Sequence, residues 1–395
     1  MDNIINNGIN KSRYNREDKK ICNFIIAYFF MQALNLFVKL VIGEFAAWSM
    51  LSKGILAVML ILAIQPILQR ALIEFIFIEF VFILSLGYTF FFEFAKYGDY
   101  KSHIFNLIVV FIPMGLAMYA LKDKSILFNR MYIMSWPTQV ILLIVMLNMS
   151  SLNYSMVSGY ALVFQSILVI QHFVEKKKWY DLVAVVIDIA AITIYGSRGP
   201  LLCVLAFIVL KVISFDSVSK KKRIIAIPVI MCIAVALVSL RNAIIRQLIA
   251  IASSLGYKSR NLELILNNNV FSDSGRSAVH QYYETKLMSE PVFGYGIFGN
   301  WMDVGLYPHN IVIELLYSYG IIFGIIALMV TILVTMAGLF SKNENEKRLA
   351  HICFAYCISL LLSDSFLMCP IFFLMMALGL NAINGKITFN FRKVT

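Results

Sequence analysis

The chain is written in long apolar runs separated by short polar breaks. Read in windows of about 19 residues, the runs fall at 22–43, 47–68, 71–92, 103–121, 131–150, 154–173, 180–196, 199–215, 223–240, 310–340, 350–365 and 367–384. A helix needs about 20 mostly apolar residues to cross a hydrocarbon core. The pattern therefore predicts an all-α polytopic integral membrane protein of about twelve transmembrane helices, with residues 1–395 forming a single transmembrane domain. One break is long: residues 241–308 separate the ninth run from the tenth. Its first part sets Arg241, Arg246, Lys258 and Arg260 among Leu, Ile and Ala up to Leu266, which predicts an amphipathic helix lying at the membrane surface. Its second part predicts a helix start over Ser274 to Val279, with Arg276, His280 and Glu284 at four-residue spacing. Pro291, Gly294, Gly296 and Gly299 then interrupt regular structure, so the backbone there is expected to approach a bound ligand closely.

Composition narrows the class. The 395 residues are 60% hydrophobic and 14% charged, with a mean hydropathy of +0.80, too little polar surface to cover a soluble globule. The net charge of +12 raises a nucleic-acid reading, which the placement of the charges removes. Lys and Arg collect at 11–20, 70, 122–130, 176–178, 211–223, 342–348 and 386–393, which are alternate breaks between runs. Cytoplasmic loops carry such an excess, so both termini are expected in the cytoplasm and segment 241–308 on the outer face. Met1 to Lys20 offers no short apolar core with a small-residue cleavage site, so the first run is expected to stay as an anchor. The six cysteines form no CxxC pair or Cys/His cluster; they read as apolar filling, and no metal or other cofactor is expected.

Candidate chemistry sits mostly at the outer ends. Tyr195-Gly196-Ser197-Arg198-Gly199-Pro200 joins the seventh and eighth runs in so few residues that Arg198 must lie at the membrane boundary, where a guanidinium either snorkels or meets an anion. His309 and Asn310 open the tenth run. A histidine titrates near neutrality and can accept the proton of an attacking hydroxyl. Asn310 either orients that imidazole or caps the helix. Glu314 is expected to pair with an outer arginine, Asp303 and Glu284 to bind a sugar or water, and His280 to serve as a second base. Asp188 and Glu79 are acids inside apolar runs, read either as functional groups or as inter-helix hydrogen-bond partners. There is no G-x-x-x-x-G-K-[ST] loop and no H-E-x-x-H, so nucleotide hydrolysis and zinc proteolysis lack their parts.

The order SRG, then a long outer loop with GR near its middle, then PxxGxG, then HN at the head of IVIELLYSYGIIFG resembles the O-antigen polymerase and ligase superfamily, over about Asp181 to Phe340. The resemblance implies a GT-C-like fold at the bacterial cytoplasmic membrane, with the site on its outer face. It implies a donor glycan carried on undecaprenyl diphosphate, transferred without metal. Arg198 and Arg276 would hold the diphosphate and His309 would be catalytic, supported by Ser197, Gly199, His280, Asp303, Asn310 and Glu314. Where relatives often carry a Trp four residues after the loop arginine, this chain has His280. The implied reaction is polymerisation of lipid-linked repeat units for O-antigen or capsule, with a chain-length regulator and a flippase as expected partners. The alternatives are a ligase onto lipid A core and, from another class, a lipid-linked oligosaccharide flippase or transporter.

Overall fold

A computed structural model describes residues 2–43, 45–92, 94, 100–148, 156–195, 198–214, 241–254, 262–263, 266, 276–289 and 292–394. It is all-helical: 88% helix, with no strand among the described residues. In chain order the helices are α1 (Asp2–Ile42), α2 (Ala46–Thr89), α3 (Tyr100–Asn106), α4 (Ile112–Ala120), α5 (Lys124–Leu147), α6 (Met156–Lys176), α7 (Trp179–Tyr195), α8 (Arg198–Ile213), α9 (Arg241–Ser254), α10 (Arg276–Ser289), α11 (Gly299–Val304), α12 (Ile311–Leu339), α13 (Glu344–Cys357) and α14 (Pro370–Val394). Among the described residues six segments are long and apolar enough to cross a membrane: Asn15–Ile42, Ala47–Thr89, Tyr100–Ala120, Lys124–Leu147, Val157–Lys176 and Ile311–Leu339. Gly199–Ile213 and Pro370–Gly385 are shorter apolar helices. The chain is thus a helical membrane protein.

Three apolar runs take a form that the sequence reading did not foresee. The second and third runs make one helix, α2, broken only at Ala71 (φ −145°, ψ 30°). Unbroken, its 44 residues would reach about 65 Å, twice a hydrocarbon core; the break leaves two lengths of roughly one bilayer each. The eleventh run, expected as a span over 350–365, is not continuous helix. The α13 helix ends at Cys357, a 3₁₀ turn covers Ile358–Leu361, and another covers Phe366–Met368. Ser363, Asp364 and Ser365 compete for backbone hydrogen bonds there, and Pro370 disfavours helix just ahead of itself. The ninth run, 223–240, lies outside the described residues.

The chain packs as two compact units: Met1–Met31, Ala46–Ile133 and Ser274–Thr395 form the first, Gln32–Phe45 and Met134–Asp273 the second. In the first, α14 packs on α4, α12 and α13, and polar groups gather at two separate ends. At one end Arg70 binds Glu17 Oε2 and Asp18 Oδ1, each at 2.6 Å, and the Ala120 carbonyl. Asp18 also accepts from Asp123 N, and Lys124 pairs with Glu346 at 3.2 Å. These residues come from the segments that the charge pattern assigns to a single side. At the other end lie Thr89, Tyr100, the segment 292–310 and the loop 362–366, where the site is built. In the second unit α6 packs along α7, with His172 Nδ1 2.7 Å from Asp181 Oδ2 and Ser166 Oγ 2.8 Å from Asp188 Oδ2.

Candidate active site

The first helix of the site, α10, starts at Arg276 as its sequence suggests and buries Tyr283 and Leu287. Tyr283 meets Tyr317 edge-on at 4.9 Å, and Tyr295 stacks on Tyr317 at 4.8 Å. These rings fix α10 and the following loop against α12. Asp303 belongs to the same assembly: Tyr282 donates to its Oδ2 at 2.7 Å, Tyr317 at 3.3 Å, and Lys286 Nζ lies 3.5 Å away. The expected sugar ligand is therefore occupied in holding the scaffold.

The glycines sit where the loop meets the middle of α12. Tyr295 N donates to the Tyr317 carbonyl at 2.9 Å and Gly296 N to Ser318 O at 2.8 Å. Both carbonyls are released by a break in α12 at Gly320, which has φ +74°. A Cβ at Gly320 would lie 2.1 Å from Val292 O, and one at Gly294 (φ +67°) 2.4 Å from Tyr317 O. Backbone approaches backbone here, so the loop replaces the partners that the broken helix lost.

At the head of α12, Asn310 is the cap: its Oδ1 accepts from Val312 N at 2.9 Å and Ile313 N at 3.4 Å. Its Oδ1 thus caps the helix. His309, just before it, has a left-handed backbone (φ 56°), a conformation costly for a residue with a Cβ. Its ring lies 4.3 Å from that of Tyr307. His309 Nδ1 is 3.2 Å from the Ser363 carbonyl, which also accepts from Tyr307 OH at 3.2 Å. A carbonyl can only accept, so Nδ1 carries the hydrogen, and the neutral ring presents Nε2 as a lone pair. Nε2 makes no hydrogen bond among the described residues.

One residue earlier on the same loop, Leu362 O accepts from Arg276 Nη1 at 2.5 Å. Arg276 and His309 thus hang from consecutive carbonyls. Burial lowers the His309 pKa from its ordinary 6.5, and the neighbouring Arg276 and His280 lower it further, against the Ser363 hydrogen bond. His280 completes the group, and its Nε2 is buried with no hydrogen-bond partner among the described residues. The neutral base form is favoured, while Arg276 keeps a positive charge beside it.

Glu314 is fully buried and among the described residues meets no arginine. Ser365 Oγ donates to it at 2.5 Å, Phe366 N at 3.2 Å and Asn300 Nδ2 at 3.2 Å. It pins the loop whose carbonyls hold Arg276 and His309. Around them, Trp301 lies 4.3 Å from the His103 ring and 5.3 Å from the Tyr307 ring. Burial pushes the Asp364 carboxyl up to about 6.

The structure therefore brings together Arg276, His280 and His309, with Asn310 and Glu314 as their supports. Arg198 begins α8 in the second unit, next to Gly199; its side chain, and Ser197 altogether, lie outside the described residues. The sequence reading missed Leu362, Ser363 and Tyr307. The signal available was the polar Ser-Asp-Ser interruption of an apolar run at 363–365. No family model matches the chain, and no curated protein or solved structure matches it.

Proposed function

We propose that the protein is a membrane-embedded glycosyltransferase of the O-antigen polymerase kind. It transfers a growing glycan from undecaprenyl diphosphate to the next lipid-linked repeat unit, on the outer face of a bacterial cytoplasmic membrane that holds both termini inside. The observation that carries this reading is the pairing of a neutral His309, its Nε2 unoccupied, with the Arg276 guanidinium on one short loop at one end of the helical bundle. In the reaction, His309 Nε2 takes the proton of the acceptor hydroxyl as its oxygen attacks the anomeric carbon. The bond from that carbon to the phosphate oxygen breaks, and the diphosphate leaves with its charge met by Arg276. Twelve spans and a GT-C-like arrangement belong to this proposal.

The test uses purified protein in detergent with lipid-linked repeat units and neither nucleotide nor metal. The glycan should lengthen, and Arg276→Ala or His309→Ala should each reduce the rate by at least a hundredfold, the lower range of a general-base contribution of about 10²- to 10⁴-fold. Transfer only to lipid A core would make the protein a ligase. Translocation of the lipid without glycosidic bond formation would make it a flippase.

A further inference from the structure

The second unit contains a carboxyl group that the site does not use. Asp188 lies ten residues into α7, is 1% exposed, and faces α6. Among the described residues its one hydrogen-bond partner is Ser166, and its Oδ1 has none. Two turns along the same helix pair, about 10 Å away, His172 and Asp181 form a pair of their own. Glu175 is bound by Gln171 within α6. Among the described residues the other elements packed on α7 are α8, α9 and, at Tyr180, α5, which carry Arg198 and Lys211, Arg241 and Arg246, and Lys124 and Arg130. Among the described residues no cation reaches Asp188.

The hydrogen-bond geometry decides which form of the acid fits. Ser166 Oγ lies 2.9 Å from the Leu162 carbonyl and 2.8 Å from Asp188 Oδ2. The hydroxyl has one hydrogen for these two neighbours. If it goes to Leu162, Asp188 must supply the hydrogen on the other contact, which a carboxylic acid does and a carboxylate cannot. If it goes to Asp188, the Leu162 contact loses its hydrogen, and an ion with no counter-charge stands among apolar helices, at a cost of several kcal/mol. The chain Asp188 O–H to Ser166 Oγ, then Ser166 O–H to Leu162 O, gives each of these two contacts a hydrogen of its own.

We infer that Asp188 is an exchangeable proton-binding site inside the membrane, closed by Ser166 and opened to water by separation of α6 from α7. It is distinct from the loop that holds His309 and does not rest on the proposed transfer reaction. Two measurements on the full chain in lipid nanodiscs test it. A lipid-soluble carbodiimide modifies protonated buried carboxyls: the acid O–H adds across one C=N bond, and the adduct rearranges to a stable N-acylurea. Peptide mass spectrometry should find it on Asp188, with the rate falling as pH rises and no adduct at that position in Asp188→Asn. The infrared difference between wild type and Asp188→Asn at neutral pH should contain a protonated carboxyl C=O band that shifts in D₂O. An unmodified Asp188 at every pH beside modification elsewhere, a rate independent of pH, or carboxylate bands in the difference spectrum would each overturn the inference. The labelling needs no variant, so misfolding of Asp188→Asn would not rescue it.

Discussion

His309 combines a left-handed backbone with an imidazole held through Nδ1. Replacing it by alanine removes the base and also keeps a Cβ in a backbone region that disfavours one by about 1 kcal/mol. His309→Gly removes the base without that strain, so its melting temperature should exceed that of His309→Ala while both lose transfer activity. Calorimetry and glycan-extension assays on the pair separate the two effects. The titration gives a second expectation. Burial and the charges of Arg276 and His280 hold the imidazole below its ordinary 6.5, so the base form is retained at neutral pH. As pH falls, the acid limb of the rate should begin below 6.5, and Arg276→Gln should move it upward by removing a repelling charge. The same sign applies to stability: protonating His309 disfavours the fold, and the contribution is lost as pH falls below the unfolded value. A limb that stayed put in Arg276→Gln would mean that the two groups do not communicate. Asn310→Ala removes the cap of α12 and should cost about 1 kcal/mol, with effects on thermal stability before any on the pH profile.

The elements show how far pattern reading reaches. Periods and run lengths were sufficient to place α1, α5, α6 and α12, because those helices bury or expose whole faces that the alternation records. The HN pair marked the head of α12, and the arginine of GR marked the head of α10. What the pattern concealed was every feature made by backbone. The 31-residue run at 310–340 does not announce that its Gly320 turns left-handed, and the run at 350–365 hides the two carbonyls that orient Arg276 and His309. A carbonyl has no letter in a sequence. Because Gly320 is needed both for φ and for the passage of Val292, Gly320→Ala should destabilise the protein by more than the ~1 kcal/mol of an ordinary helix glycine exchange. Denaturation in detergent compared with Gly338→Ala, a helical glycine in the same element whose added Cβ meets its nearest atom at 3.3 Å, would measure the difference.

At the scale of the molecule, the first unit keeps its polar groups at two ends, and each end draws on segments far apart in the chain. Arg70 with Glu17 and Asp18 is a buried ion network at the end away from His309. Truncating the guanidinium leaves two carboxylates without their partner, so Arg70→Ala should cost about 3–5 kcal/mol, read as lost yield of folded protein and a lower melting temperature. Cysteines placed at Lys122 and Lys342 should react with a membrane-impermeant maleimide from one side of oriented vesicles, and one at Lys286 only from the other. Reaction of all three from the same side would undo the alternation that the charge pattern predicts.

The carbonyls that seat Arg276 and His309 are made after both of them, and Glu314 reaches that loop only once Ser365 and Phe366 have been made. During synthesis, the imidazole and guanidinium therefore emerge before their anchor. A nascent polypeptide stalled after α12 would hold both groups yet leave them unaligned, so their alignment is a late event of assembly, set by residues that follow α13.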